Sequence, residues 1–190
     1  MTAMQVAERM TAEQFLAEPE PERGWPVSLV GGEVVMNDPT RLHGAVQKAV
    51  LLALERWIAA GTARGVVTFP HDVALDAGNV YKPDVLWYAH GRAPSLSQRP
   101  PYAMPDLAVE VRSPSTWRYD IGAKKAGYER HGLPELWLVD TAAEAVMAFR
   151  RSRPGAPTFD IALECQRDQQ VTSPLLPGLQ LPVDEVFPTR

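Results

Sequence analysis

Between Pro105 and Tyr128 the chain reads PDLAVEVRSPSTWRYDIGAKKAGY, a strand pattern that breaks at a proline and resumes as a helix pattern. Leu107, Val109 and Val111 alternate with Asp106, Ala108, Glu110 and Arg112, which is the period of a strand. Successive strand side chains point to opposite faces, so Glu110 is directed away from that apolar row. Ser113-Pro114-Ser115 ends the strand, because proline supplies no ladder donor and restricts the residue before it. A helix is expected from about Asp120 to His131, stopped by Gly132 and Pro134. Asp120, Lys124 and Tyr128 then follow at i, i+4 and i+8 along one helix face. A carboxylate at a strand end and an ammonium on the next helix limit both how this chain folds and what it does.

The other segments read as the parts of a mixed sheet with helices. Thr11-Ala12-Glu13-Gln14 has capping-box spacing and predicts a short helix through Ala17. Residues 19–26 read as a loop, and Val27 to Met36 as a hairpin around Gly31-Gly32. Helical spacing of Leu42, Val46, Ala49, Val50, Ala53, Trp57 and Ile58 predicts a long helix over Thr40 to Ala60. Strands are expected at Val66–Phe69, Asp72–Leu75, Val80–Tyr88, Leu136–Asp140, Ala145–Arg150 and Thr158–Glu164. Residues 89–104 form a proline-bearing loop. The tail around residues 173–179 is irregular and is expected to lie over a core spanning about 27–165. No repeat or linker divides the 190 residues, so one domain is expected.

Composition narrows the function classes. The single cysteine, Cys165, excludes an intramolecular disulfide and a thiolate zinc cluster, and makes the cytoplasm the expected compartment. No apolar run approaches the roughly 18 residues that span a bilayer, and the acidic N-terminus lacks a signal-peptide layout. A net charge of −4 counts against a high-affinity, stand-alone DNA binder, whose affinity comes largely from Lys and Arg on phosphate.

Four residues stand out as candidates for one site. Asp84, in Lys82-Pro83-Asp84-Val85, falls on the strand face opposite Val85 and Trp87. Glu110 belongs to the neighbouring strand, Lys124 to the next helix and Glu33 to the early hairpin. Asp84 and Glu110 would supply the hard oxygens that magnesium or manganese prefers. Lys124 could orient a water and neutralise developing charge, and Glu33 could complete the acidic pocket. Each residue also has a plainer role. Glu110 could sit on a solvated strand face, Asp84 could open a strand, and Lys124 and Lys125 could be solvent charges. Glu33 could be hairpin polarity, and His43 a capping or packing residue.

The run PDLAVEVRSPSTWRYDIGAKKAGYERHGLPELWLVD resembles the signature of the Uma-type restriction endonuclease family, part of the PD-(D/E)xK nuclease superfamily. Gly32-Glu33, His43, Pro83-Asp84-Val85 and the Leu-Leu-Pro-Gly-Leu tail match as well, so the resemblance covers nearly the whole chain. It implies an α/β, restriction-endonuclease-like fold with a mixed central sheet flanked by helices. It also implies Mg²⁺ or Mn²⁺ on Asp84, Glu110 and the backbone carbonyl of Val111, and DNA as substrate. The superfamily's lysine normally lies two residues after the glutamate, where this chain has Arg112. Arginine stays protonated and cannot serve as a base. The Uma-type pattern moves the lysine to the following helix, which fits Lys124, whereas Lys125 points about 100° away. Arg112, His43 and Tyr128 are then candidates for substrate contact. The expected activity is a magnesium-dependent endonuclease, and a symmetric homodimer is the expected assembly by analogy with duplex cutters. The alternatives are an inactive binding or assembly protein of the same fold, or a hydrolase of small phosphate esters.

Overall fold

The computed structural model describes residues 9–18 and 27–187. The loop expected over 19–26 lies outside the described residues. The architecture is α/β, with a mixed central sheet and few helices.

Helix α1 (Ala12–Ala17) carries the expected capping box, Thr11 accepting from the Gln14 amide and Gln14 from the Thr11 amide. Strands β1 (Val27–Val30) and β2 (Glu33–Met36) form the hairpin. Gly31 and Gly32 both have positive φ, as the tight turn between them requires. Helix α2 (Arg41–Ala59) starts at Thr40, whose hydroxyl accepts from the His43 amide. Strands β3 (Val66–Thr68), β4 (Val73–Asp76), β5 (Asn79–Tyr81), β6 (Val85–Tyr88) and β7 (Leu107–Val111) follow.

The apolar run over Val80–Tyr88, expected as one strand, is two. Pro83 interrupts the ladder, and the chain leaves one sheet for another there. Strand β5 belongs to a four-stranded antiparallel sheet of order β2-β1-β5-β4. Strand β6 belongs to a six-stranded sheet of order β10-β9-β8-β7-β6-β3. In the latter, β7 and β8 (Glu135–Asp140) run parallel and the other neighbours antiparallel. Strands β9 (Ala145–Arg150) and β10 (Ile161–Cys165) complete it, β10 starting later than the expected Thr158.

The helix after β7 is not uniform. It opens with α3 (Trp117–Tyr119), widens into a π-turn over Asp120–Lys124, and continues as α4 (Lys125–Arg130). Gly132, at φ 83°, closes it. Residues 173–179 are irregular as expected. They are flanked by β11 (Gln170–Val171), β12 (Leu181–Pro182) and α5 (Val183–Val186), for which the sequence carried no expectation.

The central sheet separates two apolar layers. Val46, Val50, Leu54 and Trp57 of α2 pack on Val85, Trp87, Leu107, Val109 and Trp137. Leu176, Leu179, Val183 and Val186 join this layer, so the tail does cover the core and the core reaches past residue 165. On the other face Ala108, Leu136 and Leu138 meet Tyr81, Tyr128 and Leu133. Glu110 shares its strand face with Ala108. It is therefore enclosed between the sheet and the helix after it instead of facing water.

Candidate active site

Strand β6 pairs with β7 only as far as Val85↔Val109, so the Val111 amide lies beyond the backbone ladder between these two strands. The Asp84 side chain supplies the missing acceptor. Its Oδ2 takes the Val111 N–H at 2.7 Å, while the Asp84 N–H donates to Val109 at 2.9 Å. Asp84 thus sits at the bend just before β6, not within a strand as expected. Helix α2 fixes it twice from one face. His43 Nε2 is 3.2 Å from Asp84 Oδ2, and Gln47 Nε2 donates to the Asp84 carbonyl at 2.8 Å. Asp84 Oδ1 accepts no hydrogen bond from a described residue.

Glu110 Oε1 receives two short hydrogen bonds, from Lys124 Nζ at 2.7 Å and from the Tyr128 hydroxyl at 2.7 Å. Lys124 Nζ also donates to Asp120 Oδ1 at 3.0 Å, and Thr116 Oγ1 donates to Asp120 Oδ2 at 3.2 Å. Asp84, Glu110, Asp120 and Lys124 are all at least nine-tenths buried and line one small cavity with Lys82 and Asn37. Its free space is about 20 Å³, enough for a water or a cation and too little for a nucleotide.

Burial pushes the Glu110 carboxyl up to about 8, with the Asp120 and Asp84 charges adding to the rise and Lys124 opposing it. For Lys124 burial disfavours the ammonium, but Asp120 and Glu110 outweigh it and hold the pKa above its usual value. Nearby, the buried Lys82 ammonium pairs with Asp72 at 3.3 Å. In the cavity lining the carboxylates of Asp84, Glu110 and Asp120 exceed the ammonium groups of Lys82 and Lys124 by one formal charge.

Among the described residues no group of three His, Cys, Asp or Glu side chains is placed to hold a metal ion by itself. The donors present fit a cation that takes one or two carboxylates and fills its shell with carbonyl and water oxygens, as magnesium does. Two features of the cavity match that requirement. The first is the excess of one formal negative charge in its lining. The other is the buried Asn37 Oδ1, a hard oxygen that lines the cavity without a hydrogen-bond partner among the described residues.

Two expected site residues, Glu33 and Arg112, lie elsewhere, and two, Tyr128 and His43, support the site from behind. Glu33 is exposed and lines a separate cleft, where its Oε2 is 3.5 Å from the Tyr119 hydroxyl. Glu33 opens β2 beside the turn, two residues before Val35, which does line the cavity. Arg112 pairs with Asp140 at 2.8 Å and lies over the Trp117 ring. Tyr128 is fully buried with its hydroxyl committed to Glu110, so it positions that carboxylate and is not open to a substrate. His43 is likewise buried against Asp84. Lys125 stacks on Phe149, away from the cavity, as its helix angle predicts. Asp120, Lys82, Asn37 and Thr116 were missed as site residues. Asp120 and Lys82 had a signal, being one turn from Lys124 and two residues from Asp84.

The profile of a family described as "putative restriction endonuclease" matches residues 12–184. A crystal structure described as a "putative nuclease" from Anabaena variabilis ATCC 29413 superimposes with a TM-score of 0.75 at 18% identity. The match covers 94% of this chain and 97% of that one, and shows a shared fold. No curated protein matches the chain.

Proposed function

From the chain's membership of the Uma2 family, described as putative restriction endonucleases, we propose a magnesium-dependent endonuclease that hydrolyses DNA phosphodiester bonds. The observation that carries this reading is the meeting of Asp84, Glu110 and Lys124 in one cavity whose carboxylates exceed its ammonium groups by one formal charge. Asp84 and Glu110 would hold Mg²⁺ or Mn²⁺, with the Val111 carbonyl as third ligand. A divalent cation there acidifies a coordinated water and stabilises charge on a phosphate oxygen.

The remaining work falls to the chain's own groups. Lys124 is kept as an ammonium by Asp120 and Glu110, so it donates hydrogen bonds and does not act as a base. It orients the attacking water and offsets charge developing on the phosphate. Tyr128 and Lys124 hold Glu110 from one oxygen, leaving Oε2 for the cation. His43, Gln47 and the Val111 amide fix Asp84 in the same way. Because the cavity admits no nucleotide, the phosphodiester approaches at its mouth.

Magnesium-stimulated nicking of supercoiled plasmid tests the proposal. Glu110→Gln should lower the nicking rate by roughly 10²-fold or more with the circular-dichroism spectrum unchanged. Equal cleavage by both proteins would remove Glu110 from the reaction. The enclosed cavity and the net charge of −4 favour a second reading, a non-catalytic binding or assembly protein. Calorimetry with Mn²⁺ separates them, since absence of binding at millimolar metal supports the second.

A further inference from the structure

At the end of the central sheet away from the acidic cavity lies a second cavity of about 400 Å³, within the size range of small-molecule sites. It forms where β8 begins and β9 ends. Arg150 is the register partner of Glu135 on one side and Ile161 on the other, so the three side chains stand on one sheet face. Leu107, the β7 partner of Glu135, is three residues from Glu110, about 10 Å along the strand.

Four arginines line this cavity, Arg92, Arg150, Arg151 and Arg153, against the two carboxylates of Asp106 and Glu135. Both carboxylates have their hydrogen bonds met within the fold. Asp106 Oδ2 takes the Ala89 amide and pairs with Arg92 at 3.3 Å. Glu135 takes Trp137 Nε1 at 2.7 Å and Ser173 Oγ at 2.6 Å. Arg151 donates to the carbonyls of Leu133, Ala156 and Glu129, which satisfy its N–H groups without neutralising its charge. Among the described residues Arg150 makes one hydrogen bond, to the Thr172 carbonyl at 3.3 Å. Its Nε is buried with no partner among the described residues. A buried, unpaired guanidinium N–H calls for an acceptor, and the surplus of two positive charges calls for an anion.

We propose that this cavity binds a phosphate-bearing ligand of mononucleotide size. Arg150 and Arg153 hold the phosphate, which matches the guanidinium fork and carries the compensating charge. Ile161, Leu175 and the prolines at 134, 154 and 174 give an apolar wall for the body of the ligand. The site is separate from the acidic cavity and does not rest on the nuclease reading.

Titration calorimetry of the full chain with 5′-AMP, in chelator to silence the acidic cavity, tests this. Saturable one-to-one binding is expected. Adenosine should bind at least about tenfold more weakly, as should 5′-AMP to Arg150→Met, since a hydrogen bond to a charged group is worth about that much or more. Arg153→Ala, a change at an exposed side chain, should weaken binding too and guards against misfolding of the Arg150 variant. Glu110→Gln should bind 5′-AMP unchanged. Competition by a 5′-phosphorylated oligonucleotide would identify a strand end as the source of the phosphate, and lack of competition a free nucleotide. No saturable 5′-AMP binding, equal affinity in both arginine variants, or loss of binding in Glu110→Gln would overturn the proposal.

Discussion

Glu110 is a carboxyl that the fold has taken out of water and placed beside two other acids and one ammonium. Its pKa rises from an ordinary 4.5 to about 8, burial being the largest cause. Below 4.5 both folded and unfolded chains are protonated at this group. Above it the unfolded chain releases the proton while the folded chain keeps it, so stability falls as pH rises, until the group ionises in the fold near 8. Lys124 titrates above this window and leaves the sign unchanged. In chelator, the melting temperature of the wild type relative to Glu110→Gln should therefore decline between about pH 5 and about pH 8.5. A flat difference would mean that Glu110 is ionised throughout. At this scale the sequence was partly legible. Lys124 was separable from Lys125 because one residue of helix rotation decides which of them points at the sheet. Glu33 was placed with the cavity because a hairpin assignment does not say how far along the strand the cavity reaches. The pairing of Asp72 with Lys82 escaped notice because it joins two segments that no local pattern connects.

Among elements, the two that build the site are irregular, and each irregularity has a visible cause. Pro83 splits what the apolar run suggested was one strand, and the split frees the Asp84 side chain to cap the Val111 amide. The proline was in plain view, but hydrophobicity over Val80–Tyr88 masked it. The π-turn over Asp120–Lys124 was not legible at all, since a helix pattern does not show a single widened turn. Strands β11 and β12 have two residues each and exist only through pairing across the tail. Helix α4 depends on a glycine for its approach to Tyr81. A Cβ at Gly127 would stand 2.2 Å from the Tyr81 hydroxyl, whose ring is buried edge-on against Tyr128. Gly127→Ala should thus lower stability by about 1–3 kcal/mol, read from the denaturant midpoint. It should also push α4 outward and weaken the contacts of Lys124 and Tyr128 with Glu110. Tyr81→Phe in the same chain should recover part of the loss, because the hydroxyl is the nearest of the clashing atoms. An unchanged midpoint in Gly127→Ala would show that Tyr81 yields freely.

For the whole molecule, the acidic cavity joins three separate parts of the fold, the β1–β2 hairpin, the β6–β7 pair and the helix after β7, with the first turns of α2 holding Asp84 from behind. Anything bound there couples them. A ligand that binds only the folded chain stabilises it by about 2.7 kcal/mol at a hundredfold excess over its dissociation constant. For a chain of this size that corresponds to a rise of roughly 5–10 °C in melting temperature. The proposed cation competes with the proton on Glu110, so the rise on adding Mn²⁺ should be larger near pH 8 than near pH 6. A chelator should reverse it, and Asp84→Asn should abolish it because one of the two ligating carboxylates is gone. Arg150→Met should retain the full rise, since that residue lies at the other end of the sheet. Scanning fluorimetry of the three proteins at both pH values, with and without Mn²⁺, reads all of these outcomes. An equal rise in Asp84→Asn would place the cation elsewhere on the surface. No rise in the wild type at millimolar Mn²⁺ would leave the charge excess to be met by protons alone, and with it the non-catalytic reading of the fold.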